Sequence, residues 1–345
     1  MAKIDYKSAG VNINTGNEAV DLIKDGVKST FTSNVLTELG SFGSLYDLKP
    51  ILENYNNPVM VQSIDGVGTK IIIARKLGKF DTIGIDLLSA CTNDIIVMGA
   101  RPLTFLDYIA NDKLEPEIVE EIMSGMVKAC KEIDVSLVGG EMAEMPDTYL
   151  PGEHDLVGII TGIVEKDKII TGESIKPGDV VLGLPSNGLH TNGYSLARKL
   201  FFEISGYGVN DRIPELEKSV GLTLLEPHIN YTNHVFSVMD KDINIKGIAH
   251  ITGGGLVENI PRILPDGCGV EVHKELWPSV PVFNVMQSIG DMDETEMYRV
   301  FNMGIGMVFI VNPADVDPVK DAIKNLAEVY GIGSVISGNK NVAIT

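Results

Sequence analysis

The chain has 345 residues, with 28 Lys and Arg against 47 Asp and Glu, for a formal charge of −19 at pH 7. Its 44% hydrophobic and 22% charged residues are those of a folded globular protein, and the length suits two domains. Such an acidic chain, without a Lys/Arg-rich run, excludes nucleic acid and anionic membranes as expected partners, and its apolar stretches fall well short of the ~20 residues that span a bilayer.

An acidic protein that handles phosphates must hold them by local devices: glycine-rich loops offering backbone N–H groups, one or two lysines, or a divalent metal. Met1–Asp5 has one positive residue and no apolar run, so no secretory signal is expected. Cys91, Cys130 and Cys268 are far apart, without metal-type spacing. They read as buried side chains of a protein in a reducing, cytoplasmic setting.

In chain order, Val59–Ile64 is predicted as a strand, followed by Ile83–Ile85, Leu103–Ile109, Val135–Val138 and Leu156–Val164. Pro116–Ile133 is predicted as a helix, because Ile118, Val119, Ile122, Met123, Met126, Val127 and Cys130 recur at helical spacing behind an N-terminal proline. Tyr194–Ile204 is a second predicted helix, and Pro318–Tyr330 a third, stopping at Gly331. Thr171–Asp179, with Gly172, Pro177 and Gly178 among charged residues, is the best linker. It divides the chain into 1–170 and 171–345, two halves of mixed α/β (α+β) character.

Chemistry concentrates where strands end. Ser63-Ile64-Asp65-Gly66-Val67-Gly68-Thr69-Lys70 combines a carboxylate for a metal, bare backbone for phosphate oxygens and an ammonium. It is no Walker A loop, since Thr69 stands where glycine is needed and Ile71 where Ser or Thr is needed. An ordinary Asp-Gly turn followed by a strand is the alternative. Leu87–Gly99 is apolar on nearly every side, so Asp94 must be neutralised, paired or metal-bound, unless it caps a neighbouring loop. Glu141 and Glu144 follow the strand ending at Val138. With Asp65 and Asp94 they offer hard oxygen donors for Mg²⁺, although spacing alone does not show convergence. Ser186-Asn187-Gly188-Leu189-His190-Thr191-Asn192-Gly193 leads into a helix, an arrangement that presents N–H groups to an anion, with His190 placed to donate or to carry a proton. The alternative is a capped turn with a surface histidine. His250-Ile251-Thr252-Gly253-Gly254-Gly255 repeats the theme before a short helix ending near Pro261. No dinucleotide fingerprint, nucleophile elbow or zinc helix is present.

Together these segments resemble the phosphoribosylformylglycinamidine cyclo-ligase (AIR synthase) family of purine biosynthesis. The likeness runs almost end to end. It comprises Tyr6–Val11, Asp65–Lys70, Asn93-Asp94, Phe105–Tyr108, Gly139–Glu141, Ala143–Pro146, His190 with Asn192–Leu196, Ala249–Gly255, Asn259–Arg262 and Glu296–Arg299. The chain departs from the family pattern at Met142, Asn187, Thr191, His228 and Met303, where Thr, Ser, Ser, Thr and Cys are usual. None of these removes a carboxylate or lysine assigned to catalysis; they bear on the substrate loops.

The resemblance implies a two-domain fold of an ATP-binding superfamily, in which the N-terminal domain forms a β-barrel across a homodimer and an α/β C-terminal domain covers a long cleft. It implies ATP-dependent closure of formylglycinamidine ribonucleotide to aminoimidazole ribonucleotide, with ATP and Mg²⁺ required. Asp65, Asp94 and Glu141 would hold the metal. Lys24, Gly66, Gly68, Thr69, Lys70, Asn93, Gly139 and Gly140 would line the nucleotide. Ser186, Asn187, Gly188, His190, Asn192 and Gly253–Gly255 would meet the substrate, and His190, Lys70, Asp94 and His250 would carry the chemistry. A selenophosphate synthetase is disfavoured because the first 90 residues lack cysteine. A nucleotide-sensing module without turnover is disfavoured because the three carboxylates are present.

Overall fold

The computed structural model describes residues 12–345, so the expected motif Tyr6–Val11 lies outside the described residues. The chain divides into two compact units. One comprises the residues up to Thr92 with Arg101–Glu165, and the other Asn93–Ala100 with Lys166–Thr345.

The first unit is built on strands β1 (Pro58–Gly66), β2 (Arg101–Asn111), β3 (Ser136–Glu144) and β4 (His154–Glu165), in the order β1-β4-β2-β3. β4 runs antiparallel to both neighbours, and β2 and β3 are parallel. The two-residue period of a strand sends alternate side chains to opposite faces. One face carries buried Phe105, Ile109 and Ile160; the other leaves Met60 and Ile64 about two-thirds exposed, with Leu106 and Ile159 beside them. Helix Ile83–Ile96 packs on the buried face, where Cys91 Sγ approaches the Gly158 carbonyl. Helix Pro116–Glu132 matches the predicted span and buries Val119, Ile122, Met123, Met126 and Cys130. It passes so close to helix Ile83–Ile96 that a Cβ on Gly84 would collide with the Ile122 carbonyl.

That approach explains one correction. Ile83–Ile85, read as a strand, opens a 14-residue helix, and because the helix is buried nearly all round its apolar residues leave no helical stripe to read. A second correction concerns Val135–Val138. The strand there continues to Glu144, so Gly139–Glu141 lie within it rather than after it.

The second unit contains β5 (Val180–Pro185), β6 (Ile245–His250), β7 (Cys268–Val272), β8 (Ile305–Val311), β9 (Tyr330–Ser337) and β10 (Val342–Ile344), in the order β10-β7-β9-β5-β8-β6. Every residue of β6 and β8 is buried, and the core gathers Val181, Ala249, Ile251, Val270, Val308, Ile310 and Ile332. The predicted helix Tyr194–Ile204 is present, its second half widened to a π-helix. The helix expected over Pro318–Tyr330 is instead Val316–Ile323. Leu326 is left half-exposed, and Gly331 sits in β9 opposite Leu182 instead of capping a helix. Thr171–Asp179, read as a linker, is tied into this unit: Gly172 N–H donates to the Lys246 carbonyl at 3.1 Å and Asp179 pairs with Lys246 at 2.6 Å. Among the described residues no helix is long and apolar enough to cross a membrane.

Candidate active site

In the first unit, Asp65 and Gly66 end β1 and a 3₁₀ turn, Gly68–Lys70, leads into helix Ile71–Leu77. The turn-then-strand alternative is therefore excluded. Gly68 has φ +55°, which glycine adopts at no steric cost. Gly68 and Thr69 line a cavity of about 330 Å³ with Arg75, Tyr149, Glu153 and His154. Lys70, expected on phosphates, has its Nζ 2.8 Å from Asp86 Oδ1, and both side chains are fully buried. An ammonium in this setting is retained by its partner, because separating them would leave two charges in an apolar interior.

Gly139, Gly140 and Glu141 line a smaller cavity of about 110 Å³ that also meets Asp107. A Cβ on Gly140 would strike the Asp107 carboxyl. Burial raises the Asp107 carboxyl from 3.8 to about 7. Glu141 is exposed, and Lys24 is exposed on helix Ile13–Lys28. Glu144 is engaged by the backbone N–H groups of Asn12 at 2.7 Å and Leu114 at 3.1 Å. Among the described residues no group of three His, Cys, Asp or Glu is arranged to hold a metal ion. Unscreened carboxylates repel one another. Mg²⁺ is commonly held by one or two carboxylates together with phosphate oxygens and water, a requirement that exposed Glu141 and part-exposed Asp65 and Asp94 fit individually.

The second unit brings three distant motifs together. Asp94 has the partner its surroundings demand: His250 Nδ1 lies 2.9 Å from its Oδ1. His250 ends β6, and the backbone turns immediately into Thr252–Gly255, where Gly254 and Gly255 have φ +98° and +57°. Asn259 ties this loop from behind, its Nδ2 donating to the carbonyls of Gly253 at 3.2 Å and Gly255 at 2.8 Å. The Asn192 side chain abuts Gly253, so the loop from Ser186 to Gly193 adjoins the glycine loop.

His190 is 1% exposed, not on the surface, and its φ of +60° is a left-handed conformation that costs a non-glycine residue about 1 kcal/mol or more. Asn302 fastens the same loop: Oδ1 accepts from Ser186 Oγ at 2.7 Å and from Gly304 N–H at 2.9 Å, while Nδ2 donates to the Gly188 carbonyl at 2.8 Å. The His228 ring stacks on His190 with centroids 4.1 Å apart. Neither Asn302 nor Asn259 was assigned a role from sequence. The signal at Asn302 is an asparagine between Phe301 and Met303, polar where the pattern calls for burial, whereas Asn259, preceded by Glu258, offers no such signal.

Residues 51–164 match the family model described as AIR synthase related protein, N-terminal domain, and residues 176–345 match the corresponding C-terminal domain. The chain is 48% identical to a phosphoribosylformylglycinamidine cyclo-ligase of Thermoanaerobacter pseudethanolicus over 342 residues, covering 99% of this chain and all of the relative. It is 48% identical to an enzyme of the same name from Trichlorobacter lovleyi, covering 97% and 96%. Among solved structures, a thiamine-monophosphate kinase from Stenotrophomonas maltophilia superposes with a TM-score of 0.69 at 16% identity, covering 94% of this chain and 95% of that one. The hydrogenase maturation protein HypE in complex with ATP superposes with a TM-score of 0.66 at 18% identity, covering 94% and 90%. At those identities the likeness concerns the fold.

Proposed function

Because the chain belongs to the phosphoribosylformylglycinamidine cyclo-ligase family, we infer that it closes the imidazole ring of formylglycinamidine ribonucleotide at the expense of ATP, releasing aminoimidazole ribonucleotide, ADP and phosphate. The observation that carries this reading is the meeting, in the second unit, of Asp94 with the loops of His190 and Gly253–Gly255. Segments distant in sequence, with Asp94 156 residues from His250, form one polar site with a carboxylate at its open end.

An amide oxygen is a poor leaving group. Transfer of the ATP γ-phosphoryl group to the formyl oxygen yields an iminophosphate. The amidine nitrogen then attacks that carbon within the same molecule, forming the ring C–N bond and expelling phosphate. Positioning supplies much of the rate, because the attack is intramolecular. In this reading Ser186, Asn187, Gly188, His190, Asn192 and Gly253–Gly255 contact the substrate. Gly66, Gly68, Thr69, Asn93, Gly139 and Gly140 approach the nucleotide, and Lys24 supplies positive charge. Asp65, Asp94 and Glu141 are the carboxylates that would hold Mg²⁺ with the nucleotide, and the ion would supply positive charge to the transferring group. Lys70, buried against Asp86, holds the nucleotide turn in place in this reading.

A homodimer belongs to the same proposal. The exposed face of the four-stranded sheet carries Met60, Ile64, Leu106 and Ile159, an apolar surface that a second copy would cover and that two such sheets would close into a barrel. The test of function is ADP release at defined Mg²⁺, with and without formylglycinamidine ribonucleotide. Folded protein whose ADP formation is not stimulated by that substrate would refute the reading.

A further inference from the structure

The imidazoles of the second unit form an arrangement that the proposed reaction does not by itself require. Asp94 Oδ1 lies 2.9 Å from His250 Nδ1, His250 Nε2 lies 3.2 Å from His228 Nε2, and His228 Nδ1 lies 3.3 Å from Thr191 Oγ1. The Asp94 side chain is 38% exposed, whereas His250 and His228 are buried, at 7% and 1%. The carboxylate is the open end and the imidazoles are its backing.

Asn93 decides which way the hydrogen bonds run. Its Oδ1 accepts from Tyr231 N–H and its Nδ2 donates to the Ile229 carbonyl, each at 2.9 Å. These two backbone partners fix the amide's orientation, and the same Nδ2 stands 3.2 Å from His228 Nε2. An amide nitrogen can only donate, so His228 Nε2 accepts and the ring carries its proton on Nδ1, toward Thr191. For His250 Nε2 to donate to it, His250 must carry a proton on each nitrogen, because the Asp94 carboxylate opposite its Nδ1 can only accept.

We propose that His228 is a positioning residue for the ring closure. Protonated on Nδ1, it accepts the Nε2–H of His250 and so fixes the imidazolium whose Nδ1–H orients the Asp94 carboxylate. Both nitrogens of His250 are thereby engaged inside the protein, which makes His250 a support for Asp94 rather than a group that meets substrate. The stack of His228 on His190, at 19° between planes, sets the second histidine from the same side chain. Three of the departures from the family pattern coincide here. Thr191 and His228 touch each other, and Asn187 Nδ2 donates at 2.9 Å to the carbonyl of Pro227, next to His228. They form one repacked cluster.

The inference rests on the cyclo-ligase reading for its kinetic arm only. Its first test is long-range ¹⁵N–¹H correlation NMR of wild-type protein labelled in its six histidines, with His228 assigned from its ring contact with His190. The expected result is a protonated Nδ1 and a hydrogen-bonded, unprotonated Nε2; a proton on His228 Nε2 overturns the proposal. In the second test His228→Leu lowers kcat about 10- to 100-fold while the KM for ATP moves less than about twofold, the size expected for a partner behind a reacting group. His228→Gln, whose side-chain oxygen can accept near the Nε2 position, restores most of kcat. Unchanged kcat in His228→Leu, or equal losses in the Leu and Gln variants, overturns the proposal. If wild-type protein shows no substrate-stimulated turnover, the cyclo-ligase reading fails while the NMR result still decides the tautomer.

Discussion

Lys70 Nζ lies 2.8 Å from Asp86 Oδ1, and neither side chain reaches solvent. Breaking a buried pair by removing one partner typically costs about 3–5 kcal/mol, whereas replacing both by apolar residues of similar volume is often neutral. Lys70→Met is therefore expected to lose about that much stability in urea unfolding, and Lys70→Met with Asp86→Leu to regain most of it. The double variant should keep its KM for ATP within about threefold, since a group that only shapes the turn makes no uniform binding contribution. A tenfold rise would return Lys70 to the phosphates.

The Lys70 pair also marks where sequence ceased to be informative. Asp65–Lys70 was legible as a chemical loop because glycine, carboxylate and ammonium side by side are seldom needed for packing. The direction in which the ammonium points depends on Asp86, 16 residues on, in a segment whose first residues read as a strand. Helix Pro116–Glu132 was legible because only one of its faces is buried, which leaves a helical stripe; helix Ile83–Ile96, covered all round, leaves none. At Asp94 the physical argument went further. A carboxylate in an apolar helix had to have a partner, but that the partner would be His250, 156 residues away, is a product of the tertiary fold. The same holds for His228 and Asn302, which no local pattern connects to the loops they hold.

Asp94→Asn should leave the fold intact, since the side chain is isosteric and 38% exposed and an amide oxygen can still accept from His250. Loss of the charge at the open end of the cluster is expected to lower kcat by at least about 100-fold. Substrate-stimulated ADP release, with circular dichroism as the fold control, checks this. Near-normal kcat would remove Asp94 from the chemistry.

Ile64 is 64% exposed on the apolar face of the sheet, two residues along the same strand face from Gln62 and four from Met60. A lysine there would have to be desolvated for a second sheet to dock. Wild-type protein is expected to sediment at twice the chain mass at micromolar concentration and Ile64→Lys as a monomer with unchanged secondary structure. A wild-type monomer would contradict the proposed dimer. A dimeric Ile64→Lys would move the interface off this face.

Asp107 gives the fold a dependence on pH whose sign can be worked out. Burial raises its carboxyl from 3.8 to about 7 in the folded protein, so between those values the native state keeps a proton that the unfolded chain has released. Stability from this group is fully present below pH 3.8, declines as pH rises, and is lost above about 7. A shift of this size corresponds to at most about 4 kcal/mol. His234 acts in the opposite sense: burial lowers its imidazole from 6.5 to about 4, so it removes stability as pH falls through that range. Cys130, whose thiol is pushed well up by burial and by Asp107, stays protonated throughout. Comparing Asp107→Asn with wild type cancels the His234 contribution. The unfolding free energy of the variant relative to wild type should rise between pH 4 and pH 8 by about 1–4 kcal/mol, with most of the change below pH 7. A difference that does not vary with pH would mean that Asp107 titrates in its ordinary range and that water reaches the cavity it shares with Gly140.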